Sequence, residues 1–156
     1  MLNRLVFAAV IAGSGAPLPA IDFSGSWEVV VGKSDFGRAK PPQSLSMTVR
    51  QNDARLAVES RLIDARGPST STYTLDLSGK EAANVIRGNK IASISSWRGR
   101  TLHVKAKTVV QGKEVKTVDQ WQLDESGRTL TVYRTATTPD GDIEQRFVYE
   151  KHLAKP

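Results

Sequence analysis

From Gly25 to Tyr149, apolar and polar residues alternate with period two through almost every segment, and no stretch sustains a helical period. That alternation belongs to strands with one face buried and one in water, because successive strand side chains point to opposite sides of a sheet. Val, Thr, Ile, Trp and Tyr recur within the runs, as a pleated surface favours. One face carries Trp27, Val29 and Val31, then Leu45, Met47 and Val49, then Leu56, Val58 and Leu62. Tyr73, Leu75 and Leu77 follow, then Ile91 and Trp97. Leu102, Val104, Ala106 and Val110 make the clearest run, with His103, Lys105 and Lys107 opposite. Val115, Trp121 and Leu123, then Leu130, Val132 and Ala136, then Ile143, Phe147 and Tyr149 complete the series. About nine strands are predicted, with Glu81 to Ile86 as a short tenth.

The runs are punctuated by turn chemistry at Asn52-Asp53, Gly67-Pro68, Gly88-Asn89, Gly99, Gly112, Ser126-Gly127 and Pro139-Asp140-Gly141. A polar turn followed by Leu, any residue and Val recurs as Leu56-Ala57-Val58, Leu102-His103-Val104 and Leu130-Thr131-Val132. Neighbouring hairpins of this kind close into an antiparallel up-and-down β-barrel of about 8–10 strands. A Greek-key sandwich needs long crossing connections, and only Gly32 to Gln43 offers the length.

At 156 residues the chain is one ordinary domain, able to bury a core without staples. It has no cysteine. Disulfides, cysteine-zinc sites, iron–sulfur clusters, thiol nucleophiles and a lipoprotein anchor are thereby excluded. Residues 1–20 read as a secretory signal peptide: Arg4 supplies the positive start, Leu5 to Ala12 the apolar run, and small residues with Pro17 and Pro19 follow. The apolar run is too short to span a bilayer, which takes about 20 residues. Cleavage after Ala20 or Ala16 leaves a barrel domain from Ile21 to Pro156 with no stable membrane anchor, in the periplasm or secreted. The formal charge of +6 comes from scattered residues. The nearest approach to a patch, Arg98, Arg100, His103, Lys105 and Lys107, reads as a solvated face rather than a nucleic-acid site, because aromatic platforms do not accompany it.

Phe23-Ser24-Gly25-Ser26-Trp27 opens the first strand with a G-x-W motif, and Tyr149-Glu150-Lys151 ends the last. In these features the chain resembles the lipocalins and fatty-acid-binding proteins of the calycin superfamily. The resemblance implies a lipocalin-like barrel in which the glycine admits the chain tightly and the tryptophan seals the closed end. Fatty-acid-binding proteins carry R-x-Y in the final strand, whereas Phe147 stands two before Tyr149 here and Arg146 falls on the opposite face. They also have a helical lid, which Gly32 to Pro42 does not encode. Their carboxylate recognition therefore does not carry over, and a bacterial exported lipocalin-like protein is the nearer match.

No local motif argues for catalysis. The histidines are His103, on the lysine face, and His152, near the end, too few to hold a metal. Neither G-x-S-x-G nor a P-loop is present, and the acidic pairs Asp124-Glu125 and Asp140 with Asp142 fall in turns. No cofactor, metal site or nucleic-acid partner is expected.

The candidate site comes from register. Four-residue loops pair Trp97 with Leu102, Val110 with Val115, Asp124 with Thr129 and Thr137 with Asp142. Followed outward, Ser93 meets Ala106, Asp119, Arg134 and Gln145 in turn, a polar row across an otherwise apolar wall. Buried charges need partners, so Asp119 and Arg134 are expected to pair inside the barrel. The pair either fixes sheet register or orients the polar end of a ligand whose apolar body lies on Trp97, Trp121, Val104 and Val132. The function expected first is an exported, non-enzymatic protein holding a small apolar or amphipathic molecule. The alternatives are a ligand-free cell-envelope module, favoured by a packed lumen, and a small isomerase, favoured by a void lined by a proton donor or acceptor of perturbed pKa.

Overall fold

The computed structural model describes residues 20–153, so the leader lies almost wholly outside the described residues. Ten antiparallel strands run in chain order: β1 (Gly25–Val29), β2 (Ser44–Gln51), β3 (Arg55–Asp64), β4 (Gly67–Asp76), β5 (Glu81–Ile86), β6 (Asn89–Arg98), β7 (Thr101–Val110), β8 (Lys113–Leu123), β9 (Thr129–Thr138) and β10 (Gly141–Lys151). The expected short tenth strand is real and forms β5. Each strand pairs with its chain neighbour except at β4 and β5, and β1 joins β10 to turn the sheet into a nearly closed barrel. Across the β4–β5 seam the Asn84 side chain substitutes for the missing ladder. Its Oδ1 accepts from the Thr74 N–H and its Nδ2 donates to the Thr74 carbonyl, both at 2.9 Å.

Registers at β6–β7, β8–β9 and β9–β10 are those expected, although Arg98 with Thr101 and Thr138 with Gly141 add a pair that shortens two of the expected four-residue loops to two. At β7–β8 the loop has two residues rather than four. Gln111 and Gly112 both take positive φ, 50° and 75°, and Val110 pairs with Lys113. Two successive left-handed residues form the tight turn whose twist matches the flanking strands. The partners of β7 therefore shift by two positions: Val104, not Ala106, faces Asp119. An even shift leaves every side chain on its expected face.

The repeated Leu-x-Val hairpins build the floor. Leu56, Leu102 and Leu130 are wholly buried, and Val58, Val104 and Val132 stand above them. Trp27 seals this end, as the G-x-W motif implies: its Nε1–H donates to the Phe23 carbonyl at 2.9 Å, and its ring is about 1% exposed. Gly25 sits at φ 142°, and a Cβ there would meet Lys151 Cε at 2.5 Å. Gln51 ties the chain start across the floor, accepting from the Phe23 N–H and donating to the Ile21 carbonyl. β1 ends at Val29, so Val31 leaves the apolar face for a single 3-10 turn and is exposed. The following connection forms no helix pair; it runs as a strap over the far end, bridged at Asp35 to Arg146.

Candidate functional site

Above the leucine floor the barrel is not filled. A cavity of about 940 Å³ extends upward to the strap and to the turns at Arg66 and Arg87. Its walls are mostly apolar, from Leu45, Met47, Leu62, Leu75, Val104, Val132 and Phe147. Alternation explains the wall, since each strand sends every second side chain inward.

One polar level crosses it. Following the registers, Ser95, Val104, Asp119, Arg134 and Gln145 lie side by side on β6 to β10. Ser95 therefore takes the place expected of Ser93, which stands one level higher beside Ala106 and Thr117, as the two-residue turn dictates. Arg134 and Asp119 pair in a two-pronged bridge, with Nε donating to Oδ1 at 2.8 Å and Nη2 to Oδ2 at 2.7 Å. The guanidinium also lies over the Phe147 ring, 5.5 Å from its centre. The Asp119 carboxylate raises the Arg134 pKa further above its already high value, against the opposing pull of burial. The arginine is thus permanently charged.

The bridge uses two of the five N–H groups of the guanidinium, and the other three have no acceptor among the described residues. The Asp119 side chain is 12% exposed and that of Arg134 38%, so it is the arginine that offers its free edge to the cavity. Two phenols border the same space. Burial pushes the Tyr73 hydroxyl up to about 12, with Arg134 and Asp119 acting on it in opposite directions. Burial raises Tyr149 as well, helped by Tyr73. The Ser93 hydroxyl and the Trp121 indole N–H, also on the cavity wall, are buried with no partner among the described residues. Buried polar groups are rarely left so.

Seven of the eight expected site residues line this cavity or its wall: Ser93, Val104, Asp119, Trp121, Val132, Arg134 and Gln145. Trp97 does not. Its ring stacks on Phe23, centres 5.8 Å apart, at the closed end and outside the cavity, and 37% of it is exposed. Position 97 is inward by alternation, but it pairs with Leu102 at the level of the floor, beneath the cavity. Gln145 lines the cavity with its amide already engaged, Nε2 donating to the Phe36 carbonyl at 2.9 Å and so holding the strap. Tyr73, Tyr149, Phe147 and Phe36 belong to the site and were not expected in it. The alternation placed the first three inward, and only the closing of the sheet brings β4 opposite β9. His103 stands on the outer face, its pKa lowered by burial and by Arg98 and Lys105.

No family model and no curated protein matches the sequence. Solved structures do. Zebrafish ileal bile acid-binding protein complexed with cholic acid aligns with a TM-score of 0.61 at 16% identity, over 83% of this chain and 98% of that one. A secretory abundant heat soluble protein from Ramazzottius varieornatus gives 0.56 at 14%, over 83% and 94%. A Schistosoma mansoni fatty acid binding protein in complex with arachidonic acid gives 0.51 at 12%, over 84% and 96%. The shared fold is the nearly closed antiparallel β-barrel of these structures. At these identities the likeness is one of architecture, and the cavity chemistry has to be read from this chain's own residues.

Proposed function

We propose that this protein is an exported, non-enzymatic carrier that holds a small apolar or amphipathic molecule inside its barrel. The observation that carries the reading is the 940 Å³ cavity itself, apolar on its walls and provided, at the Arg134 level and the levels next to it, with hydrogen-bond donors that find no partner among the described residues. Ligand sites have this composition, a mostly apolar surface with a few placed polar groups, and volumes of roughly 300–1,000 Å³. A packed lumen, which a ligand-free envelope module would have, is the opposite arrangement. The isomerase alternative gains little from the shifted groups. Tyr73 and Tyr149 move away from neutrality and Arg134 stays charged, so they are donors rather than proton shuttles at ordinary pH. Two of the architectural neighbours hold cholic acid and arachidonic acid, molecules of this general character. Export to the periplasm or beyond rests on the composition of residues 1–20.

Native mass spectrometry of the protein extracted mildly from its source cell tests the carrier reading. A non-covalent adduct of a few hundred daltons is expected, and its release should leave a protein that takes up Nile red with a rise in fluorescence. A protein that carries no adduct and does not bind the dye would refute the reading. N-terminal sequencing of the mature protein should begin at residue 17 or 21; a chain retaining Met1 would remove export from it.

A further inference from the structure

The Asp119–Arg134 bridge has a consequence for which ligand the cavity accepts. A lone buried arginine favours an anion. Here the Asp119 carboxylate already occupies one edge of the guanidinium through two short charge-assisted bonds, and the pair is neutral as a unit. A second carboxylate on the free edge would meet the arginine's charge and, a few ångströms further, the repulsion of Asp119, after losing its hydration. An uncharged carbonyl oxygen takes the same free N–H groups without either penalty. The unpartnered Ser93 hydroxyl and Trp121 N–H, 3% exposed each, likewise call for an acceptor oxygen rather than a full charge. Among the described residues no other charged side chain reaches this level; Lys40, Asp64, Arg66, Arg87 and Lys107 border the cavity at its mouth.

We infer that Asp119 is a specificity-determining residue that makes the inner polar site select ligands with a neutral carbonyl head, such as an amide or ester, over the carboxylate of the same skeleton. The inference rests on the carrier reading above. Its test is displacement of Nile red, a neutral dye, by dodecanamide and by dodecanoate at neutral pH. Working in 0.5 M salt screens the exposed mouth charges and leaves the buried pair largely unscreened. The wild-type protein should bind the amide at least tenfold more tightly. In Asp119→Asn the arginine loses its internal counter-charge, and the amide-to-carboxylate ratio should fall at least tenfold, with dodecanoate now raising the melting temperature more than dodecanamide. The wild-type comparison stands even where the variant does not fold. Both ligands binding with the carboxylate preferred, or a ratio unchanged in Asp119→Asn, overturns the inference and leaves the carrier reading intact. Failure of dodecanamide to displace bound dye, with or without dodecanoate, overturns the inference. Failure of the dye itself to bind overturns the carrier reading with it.

Discussion

Removing Arg134 while keeping its partner is the perturbation that most directly weighs the polar level of the barrel. Arg134→Met preserves length and much of the packing against Phe147 but strands the Asp119 carboxylate. Breaking a fully buried pair costs about 3–5 kcal/mol, whereas exposed pairs contribute about 0–1 kcal/mol. Asp119 at 12% and Arg134 at 38% side-chain exposure lie between these limits and nearer the buried one. A coupling of about 2–3 kcal/mol follows from that position and from the two-pronged geometry. For a domain of this size it corresponds to a melting-temperature loss of roughly 6–15 °C. The assay is a double-mutant cycle in urea with Arg134→Met, Asp119→Leu and the pair together, so that the loss of the Arg134–Phe147 interaction cancels. The double variant should recover most of the stability lost by Arg134→Met, because no charge is left without its partner, and the urea slope should stay constant. A coupling below about 0.5 kcal/mol, with the two single losses simply adding, would show that the bridge is solvated like a surface pair. The polar level would then be no less hydrated than the barrel's outer surface.

Alkaline titration gives a second prediction. Tyr73 titrates near 12 in the native protein and Tyr149 is raised too, while a phenol in the unfolded chain titrates near 10. Below pH 10 both states hold these protons and stability is unaffected; above it the unfolded chain releases them first, so stability falls as pH rises toward 12, by up to about 1.4 kcal/mol per pH unit for each phenol. Ultraviolet difference titration of the native protein against Tyr73→Phe should lose a transition near pH 12, and losing one near 10 instead contradicts the burial argument. Third, Asn84→Ala deletes both bonds across the β4–β5 seam and should cost about 1–2 kcal/mol. Hydrogen exchange should quicken at the Thr74 amide and not along β8 and β9; an unchanged Thr74 rate would mean the seam is closed by something else.

The sealing role of Trp27 came from the resemblance that its G-x-W motif carries; strand existence, the inward and outward faces and the pairing of Asp119 with Arg134 were legible in the chain itself. They follow from a period of two that is local and survives any even slip in register. That is why the β7–β8 loop, two residues rather than four, moved Ser95 into the place of Ser93 without moving Asp119 or Arg134 off the inner face. Tertiary structure alone decided the rest. The positive φ at Gln111 set the shorter loop, and such a conformation is uncommon enough outside glycine that the residue does not announce it. Alternation states which side of a sheet a residue faces but not its height along the barrel, so Trp97 came out at the floor against Phe23 while Tyr73, on a distant strand, came to border the Arg134 site. Gln145 reads as a free polar side chain until the strap folds over and takes its amide. The void belongs to no segment of the chain. It is the space left when ten strands curve shut around side chains too small to fill them.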